Sequence, residues 1–303
     1  MDMGVERYDS REFESTFFTL RIGLVVSALV VISAPFAARV FGHHYPPSIS
    51  DSWYTDARTI FVVALAAGAA LLVVVRGDTL TEQTLLNLAG GLGLAVAGAA
   101  CWPKGSDGKA LATYDPSVAK LNEYAVGAVL VVGAIALVAS YVLPKRLVGS
   151  DPWHTKKWAE ITLRALPAAL LAYGAIRFLS NERHFAEHVH GPASVVMFAL
   201  LGIVALLRTR WGLRVLDLID DTPVDDSLSS RALPQERSSA YDVVYAAVGV
   251  LMLVVVAVAA YLVNSHHKPG WILWIEISLL LLFCVFWSTQ TVEGWQENKT
   301  AGD

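Results

Sequence analysis

The chain is predicted to be an all-α, polytopic bundle of about eight membrane-spanning helices, and three observations predict it. Of its 303 residues, 55% are hydrophobic and 17% charged, with a mean hydropathy of +0.50. A water-soluble globule of that composition would show more apolar surface than it could bury. Stretches close to the roughly twenty apolar residues that cross a ~30 Å hydrocarbon core recur along the chain. The gaps between them are short and polar, so 1–303 reads as a single integral membrane domain.

The first span, Phe17 to Val40, follows Arg7, Asp9, Arg11, Glu12 and Glu14 and has no small-residue cleavage site, so it is expected to be a retained helix. The second runs from Ala57 to Val75 and the third from Leu85 to Trp102, where Pro103 stops it. Ala64 and Gly68 in one, and Ala89, Gly93 and Ala97 in the other, recur every fourth residue and permit close helix contact. The stripes predict packing inside one subunit, with a homo-oligomer face as the alternative. The fourth span, Tyr124 to Leu143, ends at Pro144; the fifth, Ile161 to Leu179, carries Arg164 near enough to its end to snorkel. After the sixth, Pro192 to Leu207, the segment Arg208-Thr-Arg-Trp-Gly-Leu-Arg214 suits an interfacial helix. Asp217, Asp220, Asp221, Asp225 and Asp226 then make the rest of 208–240 a solvated loop. The last two spans, Val243 to Val263 and Trp271 to Val292, flank Pro269-Gly270 and form a hairpin.

Basic residues concentrate in two loops on one side of this arrangement, with Lys145, Arg146, Lys156 and Lys157 in one and Arg208, Arg210, Arg214, Arg231 and Arg237 in the other. The positive-inside rule puts those loops and both termini in the cytoplasm. A formal charge of -4 gives no electrostatic footprint for nucleic acid. Cys101 and Cys284 fall at different depths, so no disulfide is expected.

Seven of the eight histidines then share the outer side: His43, His44, His184, His188, His190, His266 and His267. The same loops carry Ser48, Ser50, Asp51, Asp56, Glu182 and Glu187. His184 and His188 stand one helical turn apart, the spacing at which two imidazoles can share a zinc ion, with His190 or a carboxylate as third ligand. The bland alternative is a polar interfacial surface. Ser50 or Asp51, behind Pro46 and Pro47, is placed to cap a following helix. Glu276, among Trp271, Ile272, Leu273, Trp274, Ile275 and Ile277, must face the bundle, because lipid would not tolerate its charge; an outer-loop histidine is its expected partner. No phosphate-cradling Gly-rich loop, nucleophile elbow or HExxH helix occurs in the sequence.

Pro47-Ser48-Ile49-Ser50-Asp51, the run His188-Val-His190-Gly191-Pro-Ala193, and Glu276 with Trp287 together resemble the DRAM-like membrane proteins and related bacterial multipass proteins. The resemblance implies a six-span core with a Ser-Asp turn after the first helix, a histidine opening a middle helix and a glutamate in the last. The fourth and fifth stretches would be an added pair. It also implies a lipid-linked role and a bacterial plasma membrane.

The leading expectation is a regulatory or structural membrane protein with an outward-facing pocket for a lipid headgroup or small ligand, lined by Ser48, Ser50, Asp51, His188, His190 and Glu276. Its alternative is a metal-dependent lipid hydrolase or transferase, with zinc or another borderline divalent ion on His184, His188 and His190, Glu187 or Glu276 as base, and Ser48 or Asp51 orienting the headgroup. A transporter or channel would need a polar path through the midplane, which these spans do not offer.

Overall fold

The computed structural model describes residues 3–42, 45–102, 115–147, 157–217, 239–264 and 270–302, and among them it is helical with no strand. In order come α1 (Met3–Gly42), a 3-10 turn (Ser50–Tyr54), α2 (Arg58–Val74), α3 (Leu80–Gly98), α4 (Pro116–Leu147), α5 (Lys157–Ser180), α6 (Glu182–His188), α7 (His190–Leu207), α8 (Arg210–Asp217), α9 (Ser239–Asn264) and α10 (Gly270–Gly302). A long helix occupies each of the eight predicted stretches. Six of them, in α1, α4, α5, α7, α9 and α10, are long and apolar enough to cross a bilayer, which makes this a multipass membrane protein. At 17 residues α2 reaches only about 26 Å. The first turns of α3 are polar, with Glu82, Gln83, Thr84 and Asn87.

Six helices close a ring: α1 packs on α2, α2 on α3, α3 on α7, α7 on α9, α9 on α10, and α10 back on α1. α4 and α5 stand outside it against each other, α3 and α6. Their lipid-type surface is plain in Val131, Val132, Ile135, Tyr173, Ile176 and Leu179, all exposed. The small-residue stripes lie at contacts within the chain. A Cβ on Gly68 would come within 3.2 Å of the Ser27 hydroxyl oxygen, and one on Gly93 within 2.9 Å of the Ala69 Cβ. Between helices of the ring lies a half-open apolar void of about 40 Å³ bordered by Leu24, Ala28, Gly68, Met197 and Phe283.

Local signals set the helix ends. Asp115 accepts from the Ser117 N–H at 2.8 Å directly ahead of Pro116, combining a cap side chain with proline in the first helical position. Thr79 caps α3 through the Glu82 N–H at 3.2 Å, while Glu82 reaches back to the Asp78 N–H at 3.0 Å, a capping box displaced by one residue. Two expected stops fail, and the first is at α3, which ends at Gly98, short of Trp102 and Pro103. α4 runs through Pro144 to Leu147, because a proline so near the end of a helix forfeits little of its hydrogen bonding. The predicted interfacial segment does form a helix, α8, with Trp211 exposed and Leu216 buried. Exposed tryptophans gather at both bundle ends, Trp271 and Trp274 at one, Trp158, Trp211 and Trp295 at the other, as side chains at membrane interfaces do.

Candidate functional site at the turn end

One end of the ring, here the turn end, holds the 3-10 turn, the chain after α3, α6 and the start of α10. Pro46 and Pro47 lead into Ser48, whose hydroxyl accepts from the Asp51 N–H at 3.0 Å and donates to Asp51 Oδ2 at 2.7 Å. The turn's N-cap is Ile49, with no side-chain cap, so neither Ser50 nor Asp51 caps it; the Ser48 hydroxyl satisfies the Asp51 N–H instead. Glu276 does face the bundle, accepting from the Ile49 N–H at 2.5 Å and the Ser50 hydroxyl at 2.9 Å. A carboxylate on α10 thus fastens the turn by its backbone and by a side chain.

The second support is the four-residue segment after α3. Cys101 donates its thiol proton to Asp51 Oδ1 at 3.4 Å, and its carbonyl accepts from the Tyr54 hydroxyl at 2.5 Å. Asn122, fully buried on α4, accepts from the Ala100 N–H at 2.9 Å and donates to the carbonyls of Ala100 and Ala186. His190, 4% exposed, donates from Nδ1 to the Ala99 carbonyl at 2.6 Å, which leaves Nε2 as the acceptor nitrogen of the neutral ring. Trp102 stacks on His188, ring centroids 5.2 Å apart. Residues 99–102 are therefore the hub that joins turn, α4, α6 and α7.

Of the residues expected to line a pocket, Ser48, Ser50, Asp51 and Glu276 meet directly, and His190 reaches them through the hub. His188 lies at its edge, donating from Nδ1 to the His184 carbonyl at 2.8 Å. The His184 and His188 rings pack at a tilt, with centroids 4.3 Å apart and planes at 35°. Among the described residues no three His, Cys, Asp or Glu side chains gather as a metal site. The zinc ligand set of His184, His188 and His190 is thus not assembled there, and His43, His44, His266 and His267 lie outside the described residues. Glu187 pairs instead with Arg183 at 2.8 Å, and the hydrogen bond and charge of that carboxylate raise the Arg183 pKa.

Two buried donors add to the site. The Ser52 hydroxyl (0% exposed) and the Trp53 indole N–H (4%) have no hydrogen-bond partner among the described residues. Arg58 stacks over the Trp53 ring, its guanidinium carbon 3.6 Å from the centroid. Neither Ser52, Trp53, Cys101 nor Asn122 was a candidate from sequence; an indole and a hydroxyl beside Asp51 in a proline-led loop were the available signal.

The opposite, arginine end is a second polar centre that sequence reasoning missed. Arg208 donates from Nε and Nη2 to Glu82 Oε1 at 2.9 and 2.6 Å and also pairs with Asp78. Burial works against its charge, but Glu82 and Asp78 outweigh that and raise its pKa. Tyr245 donates to Glu293 at 2.6 Å, and Arg21 reaches the Gln290 carbonyl at 2.9 Å. Arg21 inside the first apolar run, and the Thr79-x-x-Glu82 box, were its signals in the sequence.

Comparison of the chain with protein-family models, with curated proteins and with solved structures finds no match.

Proposed function

We propose that the turn end is an outward-facing site that binds a lipid headgroup or small polar ligand, in a regulatory or structural role, on an eight-span protein with both termini in the cytoplasm. The pair of buried donors, Ser52 Oγ and Trp53 Nε1, carries this reading. They lie next to Asp51, in a turn that Glu276 holds at the end of a membrane bundle, and an acceptor oxygen such as that of a phosphate or glycerol group would satisfy both. Arg58 beside Trp53 supplies a cation for an anionic headgroup.

Arg208, Arg210 and Arg214 at the far end support the orientation through the positive-inside rule. The resemblance to DRAM-like proteins supports a lipid-linked role in a bacterial plasma membrane. A six-helix ring with α4 and α5 outside it is the shape that a six-span core with an added pair would take. The hydrolase or transferase alternative needs a metal donor from outside the described residues, and a transporter would have to cross the apolar void between the two polar ends.

Native mass spectrometry of the full chain released from lipid nanodiscs tests the reading. The wild type is expected to retain bound lipid or a small ligand that Ser52→Ala/Trp53→Phe loses. Equal retention by a folded double variant would refute it. Labelling from outside the cell, expected at a cysteine in place of Tyr45 and not at one in place of Trp211, checks the orientation.

A further inference from the structure

Arg21 lies inside the Ser15–Gly42 span and is 6% exposed, a setting in which a charge needs compensation. Among the described residues its one hydrogen bond is Nη1 to the Gln290 carbonyl, and one face of the guanidinium covers the Phe17 ring, 4.3 Å from carbon to centroid. Glu82 and Asp78 act on it through space, but their short contacts belong to Arg208. Its Nε–H is buried without a partner among the described residues. The Trp287 indole N–H (1% exposed) and both polar atoms of the Gln290 side chain (2%) are in the same condition. Trp287 and Gln290 are three residues apart and share a face of α10. Glu293, one turn on, is occupied by Tyr245.

We propose that Arg21, Trp287 and Gln290 form a buried oxyanion site at the arginine end, separate from the site at the turn. The unused Nε edge of Arg21 is the side of a guanidinium that grips two oxygens of a phosphate, and the indole and carboxamide N–H groups add neutral donors. Donors of this kind, one of them charged, outnumber the single free acceptor, Gln290 Oε1, so the complementary ligand is acceptor-rich and anionic. Arg21 is six residues from Ser15, and Gln290 six from Gln296 at the end of its span. Both therefore lie about 9 Å inside their spans, just beneath a headgroup layer. The phosphate belongs either to a free ion or small molecule, or to an anionic lipid.

Thermal unfolding of the full chain in detergent, with inorganic phosphate against chloride at equal ionic strength, is the test. Phosphate is expected to raise the Tm of the wild type by about 3 °C or more when well above Kd. Arg21→Gln and Gln290→Leu should both abolish the rise. If Arg21→Gln does not fold, Gln290→Leu decides alone, since it keeps Arg21 and the carbonyl it bonds. Native mass spectra from phosphatidylcholine nanodiscs with and without phosphatidylglycerol separate the sources. Phosphatidylglycerol retained by the wild type and lost by the variants marks a lipid phosphate, and a phosphate response without retained lipid marks a free one. A wild type that shows neither, or variants that respond as it does, overturns the proposal and leaves these donors to internal water.

Discussion

The two ends of the ring both bury carboxylates, and they stabilise them differently. At the turn end the contacts described on Asp51 and Glu276 come from hydroxyls, a backbone N–H and a thiol, and a loop supplies most of them. At the arginine end Glu82 meets a guanidinium brought from the far end of α7. The donors named on these carboxylates are neutral and most sit on a loop, which can rearrange. An ion pair between packed helices leaves a full buried charge behind when either member is lost. The turn end is thus suited to exchanging partners, and the arginine end to joining helices.

The largest expected effect breaks that pairing. Arg208→Met strands Glu82, 5% exposed in its side chain, and should cost about 3–5 kcal/mol in chemical unfolding. Adding Glu82→Gln should recover part of the loss. A cost near zero would mean that this ion pair does not join the helices at the arginine end. Next, Glu276→Gln weakens the two bonds to Ile49 and Ser50 and should cost about 1–3 kcal/mol. Hydrogen exchange should quicken over 48–54 and stay unchanged around Glu82; a uniform increase would erase the distinction between the ends. The smallest effect concerns Asp115, an exposed cap on the loop side of α4. The hydroxyl and N–H of Ser117 hold its pKa below the usual 3.8, so the stabilisation is present above that pH and is lost as pH falls through the lowered value. Ser117→Ala should move the Asp115 pKa upward in a carboxyl-detected NMR titration, with little change in overall stability.

What could be read from the sequence follows the range of each interaction. The eight apolar stretches depend on composition within some twenty residues, and helices stand where expected. Glu276 was legible because an acid among tryptophans and isoleucines has only the bundle to face. Ser48, Ser50 and Asp51 were legible as a proline-led polar turn, although the expected cap by Ser50 or Asp51 was not formed, because local geometry put Ile49 in the N-cap position. The hub was hidden: Asn122 acts 22 residues from Ala100, and Cys101 acts 50 from Asp51. Arg21 and Gln290 are 269 apart, and no local pattern marks a contact at such range. Even spacing brought the His184 and His188 rings together, and no third ligand joins them among the described residues.

α10 carries Glu276 near one end and Gln290 near the other, fourteen residues and about 21 Å apart along a single uninterrupted helix. A continuous helix resists compression along its axis, so the anchor of the turn and the anchor of Arg21 keep a fixed separation. If α10 slides by one ångström toward either face of the membrane, Glu276 must carry the turn with it or let it go, while the Gln290 carbonyl draws on Arg21 by the same distance. Mechanically, the last helix couples the turn to Arg21 as a rigid rod would.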